Sequence, residues 1–469
     1  MSRKDVVEGP RNEQGIAAVV DLLKQRFGVK FQTGQSFREQ HAHTTTYIPS
    51  QLPDGVVFVG STEDVQAVVK LCAAHKVPMV AFGVGSSLEG QVNAAYGGIS
   101  IDFSRMDKVL EVNAEDLDCT VQPGVTREAL NTYLRDTGLF FPIDPGANAT
   151  LGGMASTRAS GTNAVRYGTM KDNVLALTVV TASGEEIRTA HRARKSSAGY
   201  DLTRLFVGSE GTLGIITSVT LRLQGIPESI GGGICTFPDV KSACDAVIMT
   251  IQMGIPVARI ELLDEMQVRA CNAYSNLSLP EKPTLFLEFH GNEQTVALQA
   301  EQFSEIATEY GADGIRFTSD PQERNLLWKA RHNAYWAGRA LAPEMSGLST
   351  DVCVPISRLA DCLAATQEDI AATGLLAPIV GHVGDGNFHV LILFDDKNDE
   401  DVAKVEAFMA RLNERALAMD GTCTGEHGVG QGKMSYLDAE LGGALELMRQ
   451  IKRGLDPDNL FNPGKIFRL

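Results

Sequence analysis

Residues 381–389 read Gly-His-Val-Gly-Asp-Gly-Asn-Phe-His, a stretch that places one histidine on each side of a glycine-rich turn. Beyond the turn, an apolar residue stands at every second position from Phe388 to Phe394. This alternation predicts a tight turn that leads directly into a strand. Because such a turn is rigid, we predict that the imidazoles of His382 and His389 converge on one point.

Two convergent imidazoles suit a divalent metal ion. Glu426 and His427 stand further along, in Gly-Glu-His-Gly-Val-Gly. A catalytic metal site takes three protein ligands and leaves one position open for substrate. We therefore predict a site with His382, His389 and Glu426 as ligands. The histidine spacing alone also fits two unrelated side chains, but glycine-rich surroundings favour close approach of a ligand to the backbone.

Length and composition restrict the class of protein. A chain of 469 residues is expected to form two or three domains. Its 58 acidic and 42 basic residues give a formal net charge of -16, which disfavours nucleic acid and anionic membrane surfaces as partners. The eight cysteines are scattered without a Cys-x-x-Cys pair. We therefore expect reduced, mostly buried thiols and neither a cysteine-type zinc site nor an iron–sulfur cluster.

The N-terminal segment, residues 1–15, is polar and lacks the apolar core of a signal peptide. No apolar run of the sequence is long enough to span a bilayer. We therefore expect a soluble, cytoplasmic protein that meets a membrane only through a partner.

The first half opens with a β–α–β pattern, in which Ser61 caps a predicted helix between two short strands. Gly83 to Gly90 follows the second strand and reads Gly-Val-Gly-Ser-Ser-Leu-Glu-Gly. Such a loop can offer backbone N–H groups to a phosphate, although an ordinary turn stays the alternative. It lacks the Lys-Ser/Thr of a P-loop, and Leu88 stands where the dinucleotide fingerprint has its third glycine.

Two further stretches of the first half are rich in small residues. Residues 142–168 hold almost no large apolar side chains, so we expect a long functional loop against which a flat ligand can lie. Residues 208–216 read Gly-Ser-Glu-Gly-Thr-Leu-Gly-Ile-Ile and lead into a predicted strand.

Beyond a glycine-rich border near Pro227, predicted strands alternate with helices. This order indicates an α+β domain with an antiparallel sheet and helices on one face. A helical pattern from Glu323 to Leu341 contains both tryptophans, and Arg331 and Tyr335 are expected to share a face of that helix. The alternative for the arginine is a solvated side chain beside an aromatic core. Residues 348–356 are predicted to form one strand.

Together and in this order, Gly-Val-Gly-Ser-Ser-Leu-Glu-Gly, Pro-Gly-Ala-Asn-Ala-Thr-Leu-Gly-Gly (residues 145–153) and the 208–216 stretch resemble the FAD-binding domain of the PCMH-type, or vanillyl-alcohol oxidase, superfamily. Neither glycine-rich loop holds a histidine or cysteine for covalent attachment, so the resemblance implies non-covalent FAD. The FAD-binding residues that it implies are Gly83, Val84, Gly85, Ser86, Ser87, Leu88, Pro145, Gly146, Ala147, Thr150, Leu151, Gly152, Gly153, Ser156, Ser160, Gly161, Asn163, Glu210, Gly214, Ile215, Ile216 and Asn462.

The second half resembles the C-terminal domain of FAD-linked oxidases. The resemblance rests on Trp-Lys-Ala-Arg-His-Asn-Ala (residues 328–334), Ser-Thr-Asp-Val-Cys-Val-Pro (residues 349–355) and the two histidine segments. These motifs are similar to those of the NAD-independent D-lactate dehydrogenases; the glycolate oxidase flavin subunit and D-2-hydroxyglutarate dehydrogenase are nearby relatives.

The resemblance also implies roles for single residues. His427 would be the catalytic base and Arg331 the clamp for the substrate carboxylate, with Tyr335 and Asn387 also at the substrate. The hydroxyglutarate enzymes carry a lysine near the position of Ser349 for a second carboxylate. Its absence here favours a monocarboxylate.

We therefore predict an α+β protein with a PCMH-type FAD-binding domain of two α/β subdomains (residues 1–226) and a substrate- and metal-binding cap (227–430). A C-terminal segment (431–469) would return to the FAD domain. The predicted reaction is oxidation of a D-2-hydroxy acid, D-lactate to pyruvate, with FAD and a divalent metal, zinc or manganese. A cytochrome, a quinone or an electron-transfer flavoprotein would accept the electrons.

Several alternatives stay open at this point. The chain would also fit the flavin subunit of a glycolate oxidase complex, a dehydrogenase of another D-2-hydroxy acid, or a flavin-binding protein without a substrate of its own. The oligomeric state stays open between a monomer and a homodimer.

Overall fold

The computed structural model describes residues 7–469, so the first six residues of the polar N-terminal segment lie outside the described part of the chain. The described residues form two compact units of mixed α and β structure. The first unit comprises residues up to Ser160, Gly168–Ile226 and Glu426–Leu469, and the second comprises Gly161–Tyr167 and Pro227–Gly425. Within residues 7–469, no helix is both long and apolar enough to cross a membrane.

The first unit contains two larger sheets and a two-stranded ribbon. Its strands are β1 (Phe31–Gln32), β2 (Gly55–Phe58), β3 (Met79–Phe82), β4 (Ile99–Asp102), β5 (Val109–Asn113), β6 (Asp118–Val121), β7 (Leu139–Phe140), β8 (Val174–Val180), β9 (Glu186–Arg188), β10 (Ile215–Arg222) and β11 (Gln224–Gly225). One sheet has the order β1-β2-β4-β3, with β4 parallel to both neighbours, and the other has the antiparallel order β5-β6-β10-β8-β9.

The helices of the first unit follow local signals in the sequence. Ser61 caps the helix Thr62–Ala74 by accepting the Asp64 N–H, and this helix buries Val65, Val68, Val69 and Cys72 at helical spacing against the parallel sheet. Its α-helices are Glu13–Phe27, Gln35–Gln40, Thr62–Ala74, Arg127–Leu134, Leu151–Thr157, Met170–Asn173, Leu202–Phe206, Leu437–Leu441 and Gly443–Leu455.

The C-terminal tail continues the edge of the parallel sheet. Met79, the first residue of β3, donates its N–H to the Leu460 carbonyl (2.7 Å) and accepts the Asn462 N–H (2.8 Å). Between these two residues, Phe461 is fully buried in the core of this sheet. The tail therefore holds the strand that leads into the loop beginning at Gly83.

The long loop expected over residues 142–168 is wrong, because the segment contains the helix Leu151–Thr157 and a short helix, Ala164–Tyr167. Leu151, Met154 and Ala155 have helical spacing and are buried. A Cβ added at Gly152 would lie 2.5 Å from the Pro123 Cβ, so the small residue allows close packing.

The second unit is built on one antiparallel sheet with the order β15-β12-β14-β13-β18-β19-β16, and β17 pairs with β19. Its strands are β12 (Ser229–Thr236), β13 (Val257–Leu263), β14 (Thr284–Gly291), β15 (Asp313–Thr318), β16 (Ser346–Ser349), β17 (Val352–Cys353), β18 (Ile379–His382) and β19 (Asn387–Phe394). Its α-helices are Ala164–Tyr167, Val240–Gln252, Glu265–Ser275, Glu293–Glu309, Pro321–His332, Ala334–Arg339, Leu359–Thr373 and Asp399–Ala418. The antiparallel sheet predicted for this half is confirmed.

The single helix predicted around Arg331 is divided in two. Its parts are Pro321–His332 and Ala334–Arg339, and Asn333 separates them. Arg331 and Tyr335 therefore belong to different helices, which corrects the prediction of one continuous helix with a shared face.

One of the two strand predictions around the histidine pair needs correction. The strand expected over residues 348–356 consists of β16 and β17, with the buried residues Thr350 and Asp351 between them. The strand predicted directly after the glycine-rich turn is confirmed as β19, in which all eight residues are buried. A central strand is covered on both sides, and here the non-apolar positions carry Asn387 and His389.

Candidate active site

Two histidines come together where β18 turns into β19. His382 ends β18, and Gly386 closes the turn with φ +79°, where a Cβ would meet the Val354 carbonyl at 2.1 Å. The His382 and His389 ring centroids are 5.4 Å apart, the rings are nearly perpendicular (86°), and one nitrogen of each lies within 4.8 Å of the other. The turn therefore brings the imidazoles together as predicted, whereas their role as metal ligands stays a prediction.

Each of these rings is fixed through its Nδ1 atom. His382 Nδ1 is 2.8 Å from Glu261 Oε1, and His389 Nδ1 is 2.9 Å from the Thr350 carbonyl oxygen. Because both partners are acceptors, each Nδ1 carries the proton and each Nε2 carries the lone pair. An imidazole held in this way is the usual form of a metal-binding histidine, so the pair fits a divalent ion.

Glu261 joins His382 to Arg331. The carboxylate, which is 1% exposed, contacts the Arg331 guanidinium through Oε2 and His382 through Oε1. Burial acts to raise the pKa of Glu261, but the charge of Arg331 and the hydrogen bonds from His382 and Arg331 outweigh it and hold the pKa below its ordinary value. Sequence reasoning missed this residue; the available signal was an acid inside the apolar strand 257–263.

Arg331 is buried, at 7% exposure, so the alternative of a solvated arginine is wrong. Its Nε atom has no hydrogen-bond partner among residues 7–469. A buried N–H without a partner costs about 1–3 kcal/mol. A bound anion that accepted this N–H would remove the cost, which fits the predicted role as a carboxylate clamp.

Asn387 uses its amide group inside the protein. The two hydrogens on Nδ2 are donated to Asp351 Oδ1 (2.9 Å) and to the Val352 carbonyl oxygen (2.9 Å). These bonds hold β17 beside β19. Its predicted place at the substrate stays a prediction, with its amide donors already engaged.

Asp351, which the sequence reasoning also missed, holds the chain that precedes Glu426. Its Oδ2 accepts the Thr424 hydroxyl (2.9 Å) and its carbonyl oxygen accepts the Gly425 N–H (3.2 Å). Asp351 Oδ1 also lies 3.8 Å from His389 Nδ1. The end of the second unit is thereby fixed to the strand that carries His389.

Tyr335 lies in the first turn of the helix Ala334–Arg339, which follows the helix that carries Arg331. It is half-buried, its ring meets the Trp336 ring edge-on with 5.1 Å between centroids, and burial raises the pKa of its phenol. The hydroxyl is therefore protonated at neutral pH. Contact with substrate stays a prediction.

A second buried glutamate lies on the same face of the sheet. Glu288 is paired with Arg259 in the β13–β14 register, and Arg259 and Glu261 are two residues apart, so their side chains share a face. Glu288 Oε1 lies 2.7 Å from His290 Nε2, and His290 Nδ1 lies 2.7 Å from the Tyr167 hydroxyl. This network was not predicted from the sequence.

In the first unit, the loop that carries His427 is anchored by two side chains. Gln91 Nε2 donates to the His427 carbonyl oxygen (2.8 Å). Glu210 accepts the N–H of Val429 (2.7 Å) and the N–H of Gly430 (2.8 Å), one on each carboxylate oxygen. These bonds fix the backbone on both sides of Gly428.

Glu210 and Asn462 were predicted to contact FAD, but the hydrogen bonds that the structure gives their side chains hold the backbone of the first unit together. The Glu210 carboxylate holds the His427 loop, and burial raises its pKa to about 7. Asn462 Nδ2 donates to the carbonyl oxygens of Gln91 (3.0 Å) and Glu210 (2.8 Å). Both residues therefore support loops, and direct flavin contact stays a prediction.

The loop that begins at Gly83 has the features of a phosphate cradle. A Cβ added at Gly83 would lie 2.3 Å from Thr150 Oγ1, and Gly85 has φ +69°, so both positions require glycine. Ser87 Oγ is buried and has no hydrogen-bond partner within residues 7–469. A pyrophosphate oxygen would satisfy it, so the residues present fit FAD.

The other predicted flavin residues are distributed between the two units. Gly146 and Ala147 are exposed, whereas Leu151 and Gly152 are packed into the helix that begins at Leu151. Ser160 belongs to the first unit, but Gly161 and Asn163 belong to the second, where Asn163 Oδ1 accepts Arg259 Nε–H (2.9 Å). Within the first unit lie also Val84, Ser86, Leu88, Pro145, Gly153, Ser156, Gly214, Ile215 and Ile216.

A glycine-rich cradle after a parallel strand in the first unit, and a histidine pair on the antiparallel sheet with a buried arginine on a helix in the second, are the features expected of a FAD-dependent oxidoreductase. Residues 53–190 match the family model of the FAD binding domain, and residues 226–466 match that of the FAD linked oxidases, C-terminal domain. The chain therefore belongs to the FAD-linked oxidase family.

Relatives are similar over most of the chain. A Danio rerio protein named probable D-lactate dehydrogenase, mitochondrial, is 51% identical over 440 residues, or 93% of this chain and 88% of the relative. An Arabidopsis thaliana protein named D-lactate dehydrogenase [cytochrome], mitochondrial, is 48% identical over 88% of this chain and 73% of the relative. A solved structure of p-cresol methylhydroxylase with substrate bound has TM-score 0.78, 16% identity and 99% coverage of both chains. The predicted PCMH-type fold is confirmed.

Proposed function

We propose that this protein oxidises D-lactate to pyruvate, with FAD as the acceptor of the hydride. The observation that carries the proposal is that one buried carboxylate, Glu261, binds both a metal-type histidine and an arginine with an unsatisfied donor. That pair of groups suits a substrate with a hydroxyl next to a carboxylate. The names of the Danio rerio and Arabidopsis thaliana relatives support D-lactate as that substrate.

In this proposal Arg331 binds the substrate carboxylate. A guanidinium can form two parallel hydrogen bonds with a carboxylate, and the Nε–H that lacks a partner among residues 7–469 is available for one of them. The other carboxylate near this arginine is Glu261, which keeps the guanidinium in place before substrate arrives. One arginine, together with the absence of a lysine near Ser349 in the sequence, fits a monocarboxylate.

We assign His382, His389 and Glu426 as ligands of a divalent metal, zinc or manganese. The two histidines have the hydrogen bonds at Nδ1 that metal ligands usually have. Glu426 directly follows Gly425, whose N–H is held by Asp351. When bound, the ion lowers the pKa of the substrate hydroxyl.

His427 is the base that accepts the hydroxyl proton. A histidine changes charge near neutral pH, as this role requires. The hydrogen bond from Gln91 to its carbonyl oxygen and the two bonds from Glu210 to the following residues keep its backbone fixed. FAD, which the loop that begins at Gly83 would hold, would supply the acceptor for the α-hydrogen of the substrate as hydride.

The electron acceptor in this proposal is a cytochrome, as the name of the Arabidopsis thaliana relative indicates for that protein. A quinone or an electron-transfer flavoprotein would be the alternative acceptor. A cytoplasmic location, with contact to the inner membrane only through this acceptor, belongs to the same proposal. Reduction of each acceptor by the lactate-reduced protein, followed by stopped-flow absorbance, would distinguish the three.

Anaerobic bleaching of the bound flavin tests the proposed reaction. D-lactate is expected to bleach the yellow absorbance band rapidly, and L-lactate is expected to leave it unchanged. Faster bleaching by glycolate or by D-2-hydroxyglutarate would identify that acid, rather than D-lactate, as the substrate. If none of these acids bleached the flavin with FAD and metal both bound, the result would contradict the proposal. Turnover of the chain alone with a dye acceptor would show that no partner subunit is needed.

A further inference from the structure

We infer that Glu261 is a positioning residue that couples metal binding to substrate binding. It does so by sharing its carboxylate between the metal ligand His382 and the substrate clamp Arg331. The inference rests on the proposed function and deepens it, because the sequence connected Glu261 neither to the histidine pair nor to the arginine.

The geometry leaves Glu261 few other roles. Its two oxygens contact different partners, Oε1 the His382 Nδ1 at 2.8 Å and Oε2 the Arg331 guanidinium. The side chain is 1% exposed, so water does not compete for either oxygen. Its place in the middle of β13 holds the carboxylate on a rigid element.

Sharing one carboxylate makes the two partners dependent on each other. When a substrate carboxylate takes hydrogen bonds from Arg331, less of the guanidinium charge is directed at Glu261. The negative charge of Glu261 then acts more strongly on His382 and makes its Nε2 a better ligand. By linkage, metal binding must in turn strengthen substrate binding by the same factor.

The second glutamate on this face of the sheet offers a matched control. Glu288 is buried, lies on the adjacent strand, and contacts a histidine and arginines, with His290 Nε2 at 2.7 Å and Arg259 at 3.5 Å. Its histidine, however, donates or accepts at both ring nitrogens within the protein. Loss of the charge at Glu288 therefore disturbs a similar buried network, but it leaves the metal ligand His382 and the clamp Arg331 unaltered.

The test compares Glu261→Gln with Glu288→Gln in the full chain with FAD bound. Manganese affinity is measured by equilibrium dialysis of the oxidised protein, with and without pyruvate, and KM and kcat for D-lactate are measured separately. Glu261→Gln is expected to weaken manganese binding roughly 10- to 100-fold and to raise KM. Pyruvate should strengthen manganese binding in the unsubstituted protein, and this gain should disappear in Glu261→Gln but persist in Glu288→Gln.

Two results would overturn the inference. One is manganese affinity in Glu261→Gln equal to that of the unsubstituted protein; the other is an equal loss in Glu288→Gln, which would show a general effect of disturbing the sheet. Glu261→Asp, which keeps the charge, serves as a second variant and should recover part of the affinity; no recovery beyond Glu261→Gln would count against the role of the charge. Absence of manganese binding and of D-lactate turnover in the unsubstituted protein would instead refute the proposed function.

Discussion

The two buried glutamates of the second unit have the same kinds of partners but different surroundings. Glu261 and Glu288 each contact a histidine and an arginine on one face of the same sheet. At Glu261 the histidine is bound through Nδ1 and has a second imidazole beside it. At Glu288 the histidine is bound through Nε2, and its Nδ1 meets Tyr167.

This difference teaches that the nitrogen which a carboxylate engages helps to decide what a buried histidine can do. A carboxylate at Nδ1 leaves Nε2, the outer atom of the ring, as the ligand for an ion. With both nitrogens engaged by side chains, His290 stabilises the packing of Tyr167 against the sheet. The residue types alone, glutamate, histidine and arginine, do not separate the two cases.

The largest effect should come from the histidines of the two networks. His382→Ala is expected to lose the metal and to lower kcat/KM by about 1,000-fold, since a metal contributes several kcal/mol to the transition state. His290→Ala is expected to keep the metal and to lower mainly stability. Metal content by mass spectrometry, together with kcat/KM for D-lactate, checks both. Equal metal content in the two variants would remove the distinction drawn between the networks.

Stability should depend on pH in opposite directions through the buried carboxylates Asp264 and Glu288. Burial raises the pKa of Asp264 to about 7, whereas burial opposed by the His290 hydrogen bond and the Arg259 charge leaves the pKa of Glu288 below its ordinary value. A raised pKa gives stability that is present below the ordinary pKa and is lost as the pH rises to about 7. Asp264→Asn, which keeps the helix cap, should therefore stabilise the protein by about 3 kcal/mol at pH 8 and hardly at pH 4.

Urea unfolding at a series of pH values measures this difference. Glu288→Gln is the contrasting variant, because its loss of charge should destabilise the protein at pH 8. If the difference in free energy of unfolding between Asp264→Asn and the unsubstituted protein were the same at every pH, Asp264 would not titrate as described.

The arginines should differ by a smaller factor. Arg331→Lys is expected to lower kcat/KM for D-lactate roughly 10- to 100-fold, mostly through KM, because an ammonium cannot form the two parallel bonds of a guanidinium. Arg259→Lys removes the guanidinium that donates to Asn163 and lies 4.7 Å from the Trp328 ring centre, so it should affect stability and leave KM close to its original value. Steady-state kinetics of both variants separates them, and a comparable rise of KM in Arg259→Lys would contradict the assignment of the clamp.

The smallest effect is expected at the Tyr167 hydroxyl. Tyr167→Phe removes its hydrogen bond to His290 Nδ1 and should cost about 1 kcal/mol of stability. Manganese affinity should stay unchanged, because the histidine concerned is not a ligand. Thermal unfolding measures the stability and equilibrium dialysis measures the manganese affinity. Weaker manganese binding would show that the Glu261 and Glu288 networks are coupled, contrary to this prediction.

The sequence predicted the parts of the fold that depend on neighbouring residues. The Ser61 cap, the turn before β19 and the order of strands and helices are local, and they were found with boundaries shifted by a few residues. The break at Asn333 was not found, because no proline or glycine marks it. Residues 142–168 were misjudged because small residues serve helix packing as well as loops.

The candidate site was predictable only in part for the same reason. His382 and His389 are joined by a short turn, so their approach follows from local geometry. Glu261 is 121 positions from His382 and 70 from Arg331. The pairing of β13 with β18 brings it to His382, and the packing of the helix Pro321–His332 on the sheet brings it to Arg331. The buried carboxylate of Glu210 likewise binds backbone N–H groups far along the chain, and that of Asp351 binds the Thr424 hydroxyl, and no spacing rule connects these partners.

The segment order of the first unit has a consequence for synthesis on the ribosome. Its residues come from both ends of the chain, and Met79 receives its partners Leu460 and Asn462 only when the last residues have emerged. Most of the second unit lies between these segments and is complete earlier. Domains usually fold in the order in which they are made. Here one part of the first unit is made before the second unit and the part that completes it is made afterwards, so β3 keeps an unpaired strand edge until residues 460–462 have been made, and such an edge favours aggregation.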